Sequence, residues 1–299
     1  MSSGNYGRVV QRARLTRELQ GLRWSRQETQ AAAAKALRWS VSKLIRVEGG
    51  YVSLSQADLE YLLRHYGVTD EKEVSRLAQL AEDARKPGWW DEYKVPDKDF
   101  MTYVGYEAGA ISIRMTDGYL VPGPLQTEEY MRALTRIYKP VGGLDTMIGL
   151  RKARQRDLQA RRPEQIYVLD EAVLRRRVGN GDTMPAQLRH LVVLSTRSEI
   201  TILVIPFDAG PHYGMKGPFA LLSFDPVTGL DDILYVESAR RGDLVVTEGQ
   251  NRLGQDEDAE PTEADDVAEA QDGFDNMVKA ALSRDASREF IDRIAEEMT

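Results

Sequence analysis

Lys43 and Arg46 stand three residues apart, just after Ser40. Two cations at that spacing share one face of a helix. Cations so placed can hold a phosphate or the acceptor edge of a guanine. No other group in the chain offers chemistry as well defined. The three histidines, His65, His190 and His212, lack metal-ligand spacing, and no His-Glu-x-x-His occurs. A Gly-x-Ser-x-Gly elbow, a phosphate loop and a dinucleotide fingerprint are all missing. With no cysteine, disulfides, cysteine zinc sites, iron–sulfur clusters and thiol catalysis are excluded. The expectation is therefore no enzymatic activity, no cofactor and no metal.

The elements around Lys43 and Arg46 follow from local rules. Ala31 to Ala36 is nearly pure helix former, and Thr29 can cap its start. Ser40 can cap the next helix by accepting from the amide of Ser42 or Lys43. Leu44 and Val47 then face inward against Leu37, while Val41, Ser42 and Arg46 point away. Gly49-Gly50 ends that helix. Leu15, Leu19 and Leu22 supply a packing helix upstream. Two short helices joined by a tight turn make a helix-turn-helix, whose second helix enters the major groove of DNA.

Leu19-x-x-Leu22-Arg23, Thr29-Gln30, and Trp39-Ser40 through Val47-Glu48 resemble the Xre family of bacterial repressors. The resemblance implies that Thr29 and Gln30 contact phosphate, and that Val41, Ser42 and Arg46 face base edges. It also implies a structural ion pair between Arg23 and Glu48. The turn position that such repressors give to glycine is Arg38 here. A left-handed arginine costs about 1 kcal/mol more than glycine, and its charge can serve a phosphate. The expected DNA-binding set is Thr29, Gln30, Arg38, Ser40, Val41, Ser42, Lys43 and Arg46. One head buries too little groove for strong specificity, so a homodimer on a pseudo-palindrome of double-stranded DNA is expected.

Charge is unevenly spread. The chain carries a net −7. Residues 1–50 nevertheless hold ten cations against three carboxylates, a local +7 suited to phosphate. Residues 250–299 hold fifteen carboxylates against five cations, a local −10. Such a tail limits nonspecific DNA sticking or docks a basic surface. The run 200–207 is too short to span a bilayer, and Met1-Ser2-Ser3-Gly4-Asn5 lacks a signal-peptide core. A cytoplasmic protein with no membrane partner is the expectation.

At 299 residues the chain fits two domains, and Pro87-Gly88 marks the boundary. Domain 1–87 is an all-α, five-helix, repressor-like head, with helices over 8–24, 29–37, 40–48, 55–66 and 71–86. Domain 88–299 is expected to be α+β with a mainly antiparallel sheet. Its predicted helices span 100–113, 127–138, 149–161, 184–196, 274–282 and 288–298. Its predicted strands span 165–170, 201–206, 218–224, 233–237 and 243–247. Residues 249–272 are acidic and poor in bulky apolar side chains, and read as a disordered loop.

Several separate motifs in this second domain resemble the WhiJ-type regulators of filamentous, sporulating bacteria. They are Tyr103-Val104-Gly105-Tyr106-Glu107, Leu120-Val121-Pro122-Gly123-Pro124-Leu125, Arg151-x-x-Arg154-Gln155, and Val204-Ile205-Pro206-Phe207 with Gly217-Pro218-Phe219. The resemblance implies a transcriptional regulator of development or secondary metabolism. It also implies an antitoxin-like relation to a small companion protein. Residues 249–266 depart from the family pattern as an acidic insertion.

A ligand or partner site in this domain would draw on Trp90, Tyr119, Arg151, Arg154, His212 and Phe219. The aromatics can wall a pocket for a small molecule, and the arginines can hold an anion or a partner carboxylate. The bland readings are a packing role for Trp90 and a solvated helix face for the arginines. Arg175-Arg176-Arg177 is a further basic cluster able to meet an acidic tail.

Overall fold

Leu15, Leu19, Leu37, Leu44, Leu59, Leu62, Leu63 and Leu77 form one buried cluster with Ala33, Ala34 and Val47. Burying each leucine stabilises the fold by roughly 1.5–3 kcal/mol. In the computed structural model, which describes residues 7–138, 143–237, 242–246 and 263–298, this cluster lies inside five helices. They are α1 (Gly7–Ser25), α2 (Gln30–Ala36), α3 (Val41–Glu48), α4 (Gln56–His65) and α5 (Glu71–Asp83). The side chains of Thr29, Ser40 and Ser55 each accept an amide of the following first turn, which fixes where α2, α3 and α4 begin. The chain divides into two compact units: Met1–Trp89 with Asp225–Leu230, and Trp90–Phe224 with Asp231–Thr299.

The second unit is built on a six-stranded mixed sheet in the order β3-β2-β1-β4-β5-β6. The strands are β1 (Ser112–Asp117), β2 (Glu164–Asp170), β3 (Ile200–Ile205), β4 (Phe219–Ser223), β5 (Ile233–Glu237) and β6 (Gly242–Val246). The ladders β1/β2 and β2/β3 are parallel, and β1/β4, β4/β5 and β5/β6 are antiparallel. The expected mainly antiparallel sheet is thus a mixed one. Its parallel half turns on β1, which the expected strands lack: the helix expected over 100–113 takes in its first two residues and leaves 114–117 unassigned. The helix is α6 (Lys98–Glu107), which stops before Gly109, and β1 follows. Pairing with β2 on one side and β4 on the other makes that segment a strand, and local periodicity does not show such pairing.

Alternation along the strands feeds two cores. Tyr167, Leu169, Ile202 and Val204 join α7 (Glu128–Tyr138), α10 (Thr183–Ser195) and α12 (Arg284–Glu297). Val168, Leu203, Phe219, Leu221 and Leu234 join Val267, Ala270, Phe274 and Met277 of α11 (Glu263–Ala280). The edge of β3 is covered: the Val204 amide donates to Ser287 Oγ at 3.0 Å, and Val204 O accepts from the Leu282 amide at 2.9 Å.

α11 also corrects the loop expected over 249–272. From Glu263 onward that segment is helical, since Val267, Ala270, Phe274 and Met277 give a buried stripe at helical spacing. The rest of it lies outside the described residues. α8 (Leu144–Arg161) starts five residues before the expected Gly149. Gly149 lies inside the helix, where a Cβ would meet the Tyr93 ring at 3.0 Å. A short α9 (Glu171–Arg175), capped by Asp170, was not anticipated. No helix among the described residues is long and apolar enough to cross a membrane.

Candidate nucleic-acid interface and second-unit pocket

The turn between α2 and α3 is closed by backbone bonds from Leu37 N–H to Ala33 O (2.9 Å) and from Trp39 N–H to Ala34 O (2.9 Å). Between them Arg38 takes a φ of 53°, in the left-handed region that favours glycine. Ser40 Oγ accepts the Lys43 amide at 3.1 Å and starts α3. Leu44, Val47 and Glu48 face inward and are buried. Val41, Ser42, Ile45 and Arg46 face out, with Val41 42% and Ile45 44% exposed.

The outward face therefore combines an arginine with two apolar side chains four residues apart. An arginine can read guanine, and apolar groups can meet a thymine methyl. Ile45 was missing from the expected set. Its signal was the i, i+4 pairing with Val41, which the inward stripe of Leu44 and Val47 obscured. The guanidinium groups of Arg38 and Arg46 make no ion pair among the described residues. Lys43 is already engaged: Nζ donates to Asp58 Oδ1 at 3.0 Å and lies 3.9 Å from the centroid of the Trp39 ring.

Behind this face sits a polar hub centred on Glu48. Arg23 Nε donates to both Glu48 oxygens, at 2.8 and 3.1 Å. Gln30 Nε2 donates to Glu48 Oε2 at 2.9 Å, and the Tyr66 hydroxyl donates to Oε1 at 3.3 Å. Burial first, and then the Glu48 charge, push the Tyr66 hydroxyl pKa up. The amide nitrogen of Gln30 thus points at Glu48, whereas the resemblance had implied a phosphate contact for this residue. Thr29 Oγ1 is likewise used, accepting the Ala32 amide at 3.2 Å.

In the second unit, the residues singled out from sequence scatter. Trp90 is buried and Tyr119 is 54% exposed. Arg151 donates to Gln126 Oε1 at 3.1 Å. His212 Nε2 lies 2.9 Å from Asp170 Oδ2. Of the cluster Arg175-Arg176-Arg177, Arg175 meets Glu171 at 2.6 Å and Glu297 at 3.0 Å, so part of it does engage an acid of the chain's own tail.

Of these residues, Arg154 and Phe219 line one pocket among the described residues. It opens to solvent and lies between α6, the middle of α8, the Pro122-Gly123 turn and the ends of β1, β4 and β5. At its base, Arg154 donates from Nη2 to Glu107 Oε1 at 2.6 Å and to the Tyr103 hydroxyl at 3.0 Å, while its Nε meets Glu107 Oε2. Burial disfavours the arginine charge, but Glu107 outweighs it and the pKa is raised. The Tyr103 hydroxyl is pushed up by burial and then by Glu107. Sequence reading missed Asp117, Tyr235 and Glu237, which line the same pocket. Asp117 ends β1, which is absent from the expected strands, so nothing local marks it. Its Oδ1 accepts the amides of Tyr119 (2.7 Å) and Leu120 (3.0 Å). Burial nevertheless pushes its pKa up to about 6, with Glu237 adding to the shift.

A capped recognition helix on a five-helix head, followed by an α/β unit on a mixed sheet, defines a two-unit helix-turn-helix protein. Residues 14–77 match a family described as a helix-turn-helix domain. Residues 100–293 match the family described as Domain of unknown function (DUF5753), and the chain belongs to that family. No curated protein and no solved structure matches the chain.

Proposed function

We propose that the protein is a sequence-specific DNA-binding transcriptional regulator rather than an enzyme, and that it acts as a cytoplasmic homodimer. The observation that supports this best is the outward face of α3. Val41, Ser42, Ile45 and Arg46 are exposed there, while the inward residues fix the helix against a buried ion pair. Thr29, Arg38 and Ser40 flank that face, and Lys43 lies on it beside Asp58. The resemblance to Xre-family repressors favours the same register. The resemblance to WhiJ-type regulators favours a role in development or secondary metabolism, with this chain as the antitoxin-like partner of a small companion protein. Fluorescence anisotropy of the full chain on its own upstream DNA, against a scrambled duplex at two salt concentrations, tests the reading. Preferential binding supports it, and equal binding to both duplexes at both salts overturns it.

A second reading adds small-molecule sensing by the second unit. The pocket beneath Asp117 and Glu237 favours it.

A further inference from the structure

The pocket of the second unit carries charges of both signs, and their hydrogen bonds decide which sign is left for a ligand. Arg154 is matched by Glu107 and Tyr103, both buried with it. Arg151 is desolvated, donates to Gln126 and does not line the cavity, although it feels the charge of Glu237. The carboxylates at the mouth are differently placed. Asp117 uses only Oδ1 for the backbone, leaving Oδ2 without a hydrogen bond among the described residues. The Glu237 carboxylate and the Tyr235 hydroxyl likewise have no hydrogen-bond partner among the described residues.

Register fixes the separation of the two carboxylates. Thr116 pairs with Phe219, and Phe219 pairs with Val236. The Glu237 amide bonds Pro218 O at 3.1 Å. Asp117 and Glu237 therefore end strands on either side of β4, with their backbones roughly 10 Å apart. That gap fits a compact cationic head between two carboxylates. Asp97 and Asp99, at the start of α6, add to the negative field felt at Tyr235. The wall behind is aromatic, from Phe100 and Tyr235, with Tyr103 stacked 4.3 Å from Tyr235. Aromatic walls with a small number of aimed polar groups are the usual make-up of a small-molecule site.

We propose that this pocket binds a small organic ammonium compound, its cationic head between Asp117 and Glu237 and its apolar body against Phe100 and Tyr235. The site itself stands apart from DNA binding, and only its use as a switch rests on the sensing reading. An ammonium group there offsets the desolvation of Asp117 and favours its ionised form. Affinity therefore falls as pH drops through about 6, where Asp117 takes up a proton. Glu237 remains as the second carboxylate, and Glu107 stays tied to Arg154.

The test uses the full-length protein with benzylammonium and tetramethylammonium as probes, and benzyl alcohol and benzoate as neutral and anionic controls. Ligand-observed NMR and calorimetry read binding at neutral pH and again about two pH units lower. The expected result is binding of the ammonium probes alone. Loss of one carboxylate, in Asp117→Asn or Glu237→Gln, weakens it by at least about tenfold, the worth of one charge-assisted hydrogen bond. Glu237 is exposed, so Glu237→Gln keeps the test valid if Asp117→Asn fails to fold. Equal binding of benzyl alcohol, preference for benzoate, or no binding of either cation overturns the site. Ammonium binding that leaves operator affinity unchanged upholds the site and overturns the sensing reading.

Discussion

Arg23 donates from one Nε to both carboxylate oxygens of Glu48, joining α1 to the last turn of the recognition helix. The two side chains are 9% and 1% exposed. Arg23 also donates to Glu28 O at 2.9 Å, and Gln20 donates to Glu48 O at 2.8 Å. α3 is thus held at its C-terminal end by polar bonds and along its length by Leu44 and Val47. This pair and the buried face of α3 together set the angle of the helix.

Removing one partner of a buried ion pair leaves the other charge desolvated. Arg23→Ala should therefore cost about 3–5 kcal/mol of stability. Glu48→Gln, which retains an acceptor for Arg23, should cost less. Urea denaturation of the variants measures both, and equal midpoints for Arg23→Ala and wild type would show that the pair is not structural.

Arg46 faces out and has no ion-pair partner among the described residues, whereas Lys43 is shared with Asp58 and Trp39. Arg46→Ala should weaken operator binding by about 1–3 kcal/mol with little change in stability. Lys43→Ala should weaken it less, because forming a DNA contact first requires breaking one with Asp58. Anisotropy titrations on one duplex rank the two, and the reverse order would move the reading face around the helix.

Arg38 holds a left-handed conformation at the turn. Arg38→Gly should stabilise the protein by about 1 kcal/mol by removing that strain. The same change removes a cation, so the slope of log affinity against log salt should shrink by about 1 if Arg38 meets a phosphate. A thermal melt reads the first effect and a salt series the second. An unchanged slope with raised stability would leave Arg38 as a turn residue only.

Asp117 links stability to pH. Its pKa rises from an ordinary 3.8 to about 6 in the folded chain. A raised carboxyl pKa means that the folded state holds the proton more tightly than the unfolded one. This contribution to stability is full below 3.8 and is lost as pH rises through about 6. The loss is at most about 3 kcal/mol at neutral pH. Asp117→Asn should accordingly be more stable than wild type at neutral pH, with the gap closing toward pH 4. Melting both proteins across that range checks the sign, and a gap that widens on acidification would contradict it.

The head was legible in the sequence because each of its rules is local. Ser40 caps within its own first turn, Leu44 and Val47 repeat at helical spacing, and Gly49-Gly50 marks the end. Even the strain at Arg38 followed from a tight turn that lacked glycine. The Arg23–Glu48 pair, spanning 25 residues, came from family resemblance and not from spacing. The other donors to Glu48, Gln30 and Tyr66, became visible only once α2 and α4 were packed around it.

The second unit divides the same way. Its β-branched strands and capped helices were readable as elements. Their order in the sheet was not, because strand pairing is decided between segments far apart in the chain. β1 shows the difference: it pairs with β2 about fifty residues on and β4 about a hundred on. Only those ladders make it a strand and bring Asp117 to the mouth of a pocket with Glu237. The sequence alone determined that this protein carries a basic, capped recognition helix, since helix caps and periodicity act over a single turn. Tertiary structure decided which charges remain unpaired, since burial and partnering depend on what the rest of the chain packs against them.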